Sequence, residues 1–183
     1  EHYGHNITPE IFREKYKNEL LVIDNVGYPK DAIKEFEEEI DDIITRATIK
    51  GKTNISTVVD IKNVFDKYVI KYSKAKDTLE RNIRKVERTI LSNEEKERRK
   101  EALQENFKLT LSAKKLSERL EIMLSTLKKL NFSSIEIAAF KKSCEDKITN
   151  ASLSTDMLED LNELFEEKLT STEENLENYI EIL

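Results

Sequence analysis

The sequence predicts an all-α fold, an elongated bundle of six or seven helices built around two long antiparallel helices. Three observations carry that expectation. Only three glycines and two prolines occur in 183 residues, too few tight turns for sandwiches, barrels or hairpin-rich folds. Apolar residues recur at alternating spacings of three and four over two long stretches, a repeat that packs long helices side by side. Ser-x-x-Glu boxes, which satisfy the free N–H groups of a helix start, punctuate the chain between and after those stretches.

Thr8-Pro9 is a helix start, with Thr8 as N-cap and Pro9 at the first helical position. Phe12, Tyr16, Leu20 and Ile23 then share one face, and Gly27 and Pro29 end the helix, Gly27 as its C-terminal cap. The next helix carries Ile33, Phe36, Ile40, Ile43 and Ala47 on one stripe and closes at Gly51. The first long helix is predicted near residues 56–91. Val58, Ile61, Phe65, Tyr68, Tyr72, Ala75 and Leu79 form its seam, which continues through Asn82 to Val86 with Ile83 and Ile90 beside it. From Val58 to Ile90 such a helix would be about 50 Å long. Asn82 reads either as a register-setting polar residue or, preferred here, as the point where the seam drifts. Phe65, Tyr68 and Tyr72 read as core, with the two hydroxyls calling for partners at a wet edge.

Ser92-Asn93-Glu94-Glu95 predicts a break. A second long helix is expected over 93–130, with Leu109, Ala113, Leu116, Leu120, Met123, Leu127 and Leu130 on its seam. Ser133-Ser134-Ile135-Glu136 opens a helix bearing Ile137, Phe140, Cys144 and Ile148. A cap near Ser154 opens another, with Leu158, Leu161, Phe165 and Leu169. A box at Ser171 either starts a last helix or lies within one running to Leu183, with Leu176 and Ile180 on its face. There is no repeat and no proline- or glycine-rich linker, so residues 1–183 read as a single helical domain with a flexible tail over 1–8.

Charge is segregated along the chain. Residues 1–61 carry net −5, residues 62–142 net +9 and residues 143–183 net −10, within an overall −6. The plainer reading is attraction between end and middle helices. The sharper one is a cationic stripe, Arg81, Arg84, Lys85 and Arg88, on one helix face at i, i+3, i+4 and i+7. Lys96, Arg98, Arg99 and Lys100 follow it, but Glu80, Glu87, Glu94, Glu95, Glu97 and Glu101 are interleaved, and no aromatic lies within 73–106 to stack on bases. Nucleic acid is therefore disfavoured as a partner.

Little in the sequence carries chemistry. His2 and His5 lie in the tail, and one cysteine allows neither a zinc cage nor an internal disulfide. Cys144 reads as a small buried hydrophobe. Glycine-rich phosphate loops, EF-hand loops and Glu-x-x-His ligand pairs are missing. No catalytic residue, metal ligand or cofactor is expected, and the chain reads as non-enzymatic. Sequons at Asn6, Asn54, Asn131 and Asn150 fall at helix starts. Capping preference alone explains their placement, yet they also tilt the expected location toward the cell surface or outside, with the cytoplasm as the alternative. No apolar run exceeds the four residues of Leu20–Ile23 or Ile137–Phe140, against about 20 for a spanning helix. The first residue is Glu1, so a processed or recombinant form is expected, and the lack of a signal peptide carries no information.

The expected function is that of a non-catalytic helical interaction protein binding another protein. The alternative is a carrier of a fatty acid or similar apolar ligand in an inter-helix cavity. A third reading is an anion binder using Arg81, Arg84, Lys85 and Arg88. The seam would serve a homodimer as well as an intramolecular bundle.

Overall fold

In the computed structural model of the chain, the described residues are 14, 16–49, 55–150 and 156–171. Among them are seven helices and no strand: α1 (Lys17–Asn25), α2 (Lys30–Ile49), α3 (Ile55–Glu87), α4 (Asn93–Leu111), α5 (Leu116–Lys129), α6 (Ser134–Asn150) and α7 (Asp156–Thr170). The fold is an all-α helical bundle. The Thr8-Pro9 start, the tail with His2 and His5, Phe12, Gly51, the cap near Ser154, Leu176, Ile180 and Leu183 lie outside the described residues. The chain divides into two compact units, residues 1–75 with 111–113, and residues 76–110 with 114–183.

In the first unit α1 packs on α2. Gly27 ends α1 as expected. Its φ of +95° is a conformation glycine reaches without a Cβ clash. Gly27 N–H donates to the Asp24 carbonyl at 3.0 Å and Tyr28 N–H to the Ile23 carbonyl at 3.3 Å, a Schellman cap. The buried stripe of α2 is Ala32, Phe36, Ile40 and Ile44, at a uniform spacing of four. Ile33, Ile43 and Ala47 sit half-buried at its edges. Rows spaced by four wind around a helix at about 26° to its axis, so the buried face of α2 turns along its length.

The α3 seam faces inward in both units, with Ile61, Tyr68, Asn82 and Val86 buried along it. Asn82 is thus a buried member of the seam, and the seam does not drift there. Ile90, expected beside the seam, is 63 % exposed because α3 stops at Glu87. Ser92 makes the expected cap, its Oγ accepting from Glu95 N–H at 3.2 Å.

The second long helix is two helices. α4 ends at Leu111, and α5 begins at Leu116 after an extended Lys115. Ala113, placed on the seam by its spacing, is exposed, and Leu111 is buried instead. Met123, Leu127 and Leu130 keep their expected burial, so the seam is legible on α5 but not across the break. In the second unit α5, α6 and α7 pack pairwise. Their core is built from Val86, Leu103, Met123, Leu127, Phe140, Cys144, Leu161, Phe165 and Leu169, each large side chain contributing roughly 1.5–3 kcal/mol by leaving water. Among the described residues no helix is long and apolar enough to cross a membrane.

Candidate functional site

The basic stripe lies on the last turns of α3 and the residue that follows it. Arg81, Arg84, Lys85 and Arg88 are all exposed. Arg81 donates to Thr78 Oγ1 at 3.3 Å, and its charge reaches Glu166. Arg84, Lys85 and Arg88 form no ion pair among the described residues. The bases that follow on α4 are differently placed. Lys96 Nζ caps the Glu87 carbonyl at 3.1 Å. Arg98 pairs with Glu94 at 2.8 Å, and Lys100 pairs with Glu97 at 2.8 Å and Glu87 at 3.4 Å. Hydrogen bonding to Glu97 accordingly pushes the Lys100 ammonium pKa up. Glu87, Glu94, Glu95 and Glu97 are thus engaged by bases of α4, and Arg84, Lys85 and Arg88 are left to solvent. Part of their role is local, since Arg84 and Lys85 sit in the last turn of α3, where cations favour the helix dipole.

Arg99 is the exception in that run. It is 7 % exposed. Its Nη1 donates to the carbonyls of Leu169 at 3.0 Å and Lys168 at 3.4 Å, capping the end of α7. Its guanidinium carbon lies 4.9 Å from the centre of the Phe132 ring, and Lys168 Nζ lies 5.4 Å from it. Lys168 pairs with Glu136 at 3.6 Å. These residues line an open groove of about 570 Å³ with Leu91, Leu130, Phe140 and Leu164 as its apolar wall and Glu95, Glu136 and Glu167 as its acids. A second open groove, about 500 Å³, lies between α1 and α2, with Leu20, Leu21 and Ile33 flanked by Lys17, Lys30 and Lys34.

A buried polar cluster in the second unit was not legible in the sequence. Arg119 is 2 % exposed. Its Nη1 donates to the Leu109 carbonyl at 3.1 Å, and its Nη2 to Asn106 Oδ1 and Thr110 Oγ1 at 3.3 Å and to Asn162 Oδ1. Burial lowers the Arg119 guanidinium pKa to about 10, opposed by the charge of Glu166. Burial likewise raises the Glu166 carboxyl pKa. Glu163 adds to the rise, and Asn82, Arg81 and Arg119 oppose it. Among the described residues Asn82 Nδ2 makes no hydrogen bond of full geometry. Arg119 occupies the position before Leu120 on the expected seam, and nothing in the spacing distinguishes it from a solvent-facing arginine.

Of the aromatic group expected in the core, Tyr68 is buried, while Phe65 and Tyr72 are half-buried. Tyr68 lies 5.0 Å edge-on to Phe36 and 5.5 Å from Tyr28 between ring centres. Its hydroxyl donates to Glu39 Oε1 at 3.1 Å, and its carbonyl accepts from the Tyr28 hydroxyl. Burial raises both phenol pKa values. Cys144 is a free thiol, fully buried, and burial pushes its pKa up to about 11.

Of the four sequons, Asn6 and Asn54 lie outside the described residues, and Asn150 is the last residue of α6. Asn131 is exposed at a φ of +63°, and it closes α5 as Gly27 closes α1: Asn131 N–H donates to the Lys128 carbonyl and Phe132 N–H to the Leu127 carbonyl, both at 3.1 Å. Ser133 then opens α6 through a reciprocal box with Glu136, at 3.2 Å and 2.8 Å. The hydrogen bond from Ser133 N–H is the main cause of the lowered Glu136 carboxyl pKa. Each residue of this sequon therefore has a local structural role.

Among the described residues no group of three or more His, Cys, Asp or Glu is placed to hold a metal ion. Compared with known proteins, the chain matches no family model, no curated protein and no solved structure.

Proposed function

We propose that the chain is a non-catalytic interaction protein that binds another protein through the basic face of α3, at the cell surface or outside the cell. The supporting observation is the contrast between Arg84, Lys85 and Arg88, exposed and without ion pairs among the described residues, and the bases of α4 beside them, which are engaged. Exposed charge of one sign concentrated on one helix face favours a partner of the opposite sign and speeds its encounter. The stripe from 81 to 88 rises only about 10 Å. Glu80 and Glu87 border it, which disfavours a long polyanion such as nucleic acid and suits a short acidic protein segment. Carboxylates on such a segment match the forked donors of Arg84 and Arg88.

The test is fluorescence anisotropy of a labelled oligo-glutamate peptide titrated with the protein. Binding is expected at low salt, weakened about tenfold or more when NaCl rises from about 50 to about 500 mM. Arg84→Gln/Lys85→Gln/Arg88→Gln is expected to abolish it. Binding that is absent, or unchanged in that variant, refutes the reading.

A further inference from the structure

We infer that the acidic segment received by the basic face belongs to a second copy of this chain and is the outer face of α7. Glu159, Glu163 and Glu167 stand there at i, i+4 and i+8, all exposed. Like Arg84, Lys85 and Arg88, they form no ion pair among the described residues. These three bases and three acids belong to the same compact unit. The unpaired bases rise about 6 Å from 84 to 88 and the acids about 12 Å from 159 to 167, so the bases fit within the length of the acidic stripe.

Both stripes lie on the second unit. Stripes of opposite sign on one chain complement those of a second copy across a two-fold axis. Each copy's basic stripe then meets the other's acidic one, and the contact closes at two copies. Ile90, 63 % exposed two residues past Arg88, supplies an apolar group at the end of the basic stripe. This inference rests on the basic face being a protein-docking surface, and it names the partner.

The experiment is sedimentation of the full chain over a wide concentration range at about 50 and about 500 mM NaCl. At low salt the weight-average mass is expected to rise from that of the 21.4 kDa chain toward twice that value. The association is expected to weaken about tenfold or more at high salt. Arg84→Glu/Lys85→Glu/Arg88→Glu makes both stripes acidic, and Glu159→Lys/Glu163→Lys/Glu167→Lys makes both basic. Each variant alone is expected to be monomeric, and an equimolar mixture of the two to associate. All six positions are exposed, and circular dichroism is to check that each variant folds. Should a triple variant fail to fold, Lys85→Glu and Glu163→Lys replace it in the same scheme. A wild-type chain that stays monomeric at low salt, a mixture that does not associate, or self-association surviving in either variant alone overturns the inference. If the glutamate peptide binds while the wild-type chain stays monomeric, the docking face stands and only the second copy falls. If neither occurs, both fall.

Discussion

The backbone N–H of Ala113 donates to Oδ2 of Asp31 at 3.2 Å. In an unbroken helix that N–H would donate to the Leu109 carbonyl. Here the Leu109 carbonyl accepts from Arg119 Nη1 at 3.1 Å. Both halves of the lost helical bond have thus found side-chain partners distant in sequence, and the interruption between α4 and α5 leaves neither group unsatisfied.

Asp31→Ala removes the acceptor that holds the Ala113 N–H. Both residues are solvent-exposed, so water competes for the bond. The expected loss is about 1 kcal/mol of unfolding free energy, measured by urea titration followed by circular dichroism. Asp31→Asn, which keeps an oxygen acceptor, should lose less. Equal stability of Asp31→Ala and wild type would show that the break is held by other contacts.

Arg119 sets a larger effect. Arg119→Ala leaves Asn106, Asn162 and the Leu109 carbonyl short of a donor in the core, and the expected destabilisation is roughly 3–5 kcal/mol. Replacing the cluster together, as Arg119→Met/Asn106→Leu/Asn162→Leu, is expected to fall within about 1 kcal/mol of wild type or above it, since apolar packing then replaces desolvated polar groups. Urea unfolding of both variants checks the pair. A triple variant as unstable as Arg119→Ala would mean that the cluster contributes net stability beyond satisfying its own members.

These two features mark where the sequence stopped being informative. Helix periodicity is a local signal, and it carried the all-α fold, the inward face of α3, the caps at Gly27, Ser92 and Ser133, and the burial of Cys144. The break after Leu111 has no proline, glycine or capping box, and a strict three-and-four spacing runs straight through it. The backbone groups it frees are taken up by Asp31 and Arg119, which lie 82 and 10 residues from their partners. The buried face of α4 carries Arg99 and Asn106, so its hydrophobic pattern understates how much of it is core. The basic stripe was legible from spacing, but not which charges would remain unpaired. That depended on α4 folding back so that Lys96 and Lys100 reach Glu87.

Gly27 and Asn131 occupy equivalent positions after α1 and α5, at φ values of +95° and +63°. A Cβ at Gly27 would meet nothing within 4 Å, so Gly27→Ala isolates backbone strain from crowding. It is expected to lower stability by about 1–2 kcal/mol. Asn131→Gly should raise it by up to about 1 kcal/mol, because an L side chain at positive φ is relieved. Thermal melts of both variants by circular dichroism give opposite signs of Tm shift. Shifts of the same sign would mean that side-chain contacts of Asn131 outweigh its backbone strain.

Glu166 gives the second unit a pH dependence whose sign follows from its surroundings. Burial raises its pKa in the folded chain, with a further rise from Glu163, against the pull of Asn82, Arg81 and Arg119. A folded-state pKa above the unfolded value means that folding favours the protonated acid. The resulting stabilisation is complete below the unfolded pKa, about 4.3 for glutamate, and is lost as pH rises through the folded one. At neutral pH the fold therefore carries a carboxylate it would rather hold as the neutral acid. Glu166→Gln, which keeps the shape and removes the charge, is expected to be at least as stable as wild type at pH 7. Its advantage should shrink to nothing below about pH 4, where wild type is itself protonated. Urea titrations of the two proteins at several pH values measure the difference directly. A Gln variant less stable at pH 7 and equal at low pH would reverse the sign, showing that the positive charges of Arg81 and Arg119 outweigh the burial of the carboxyl group.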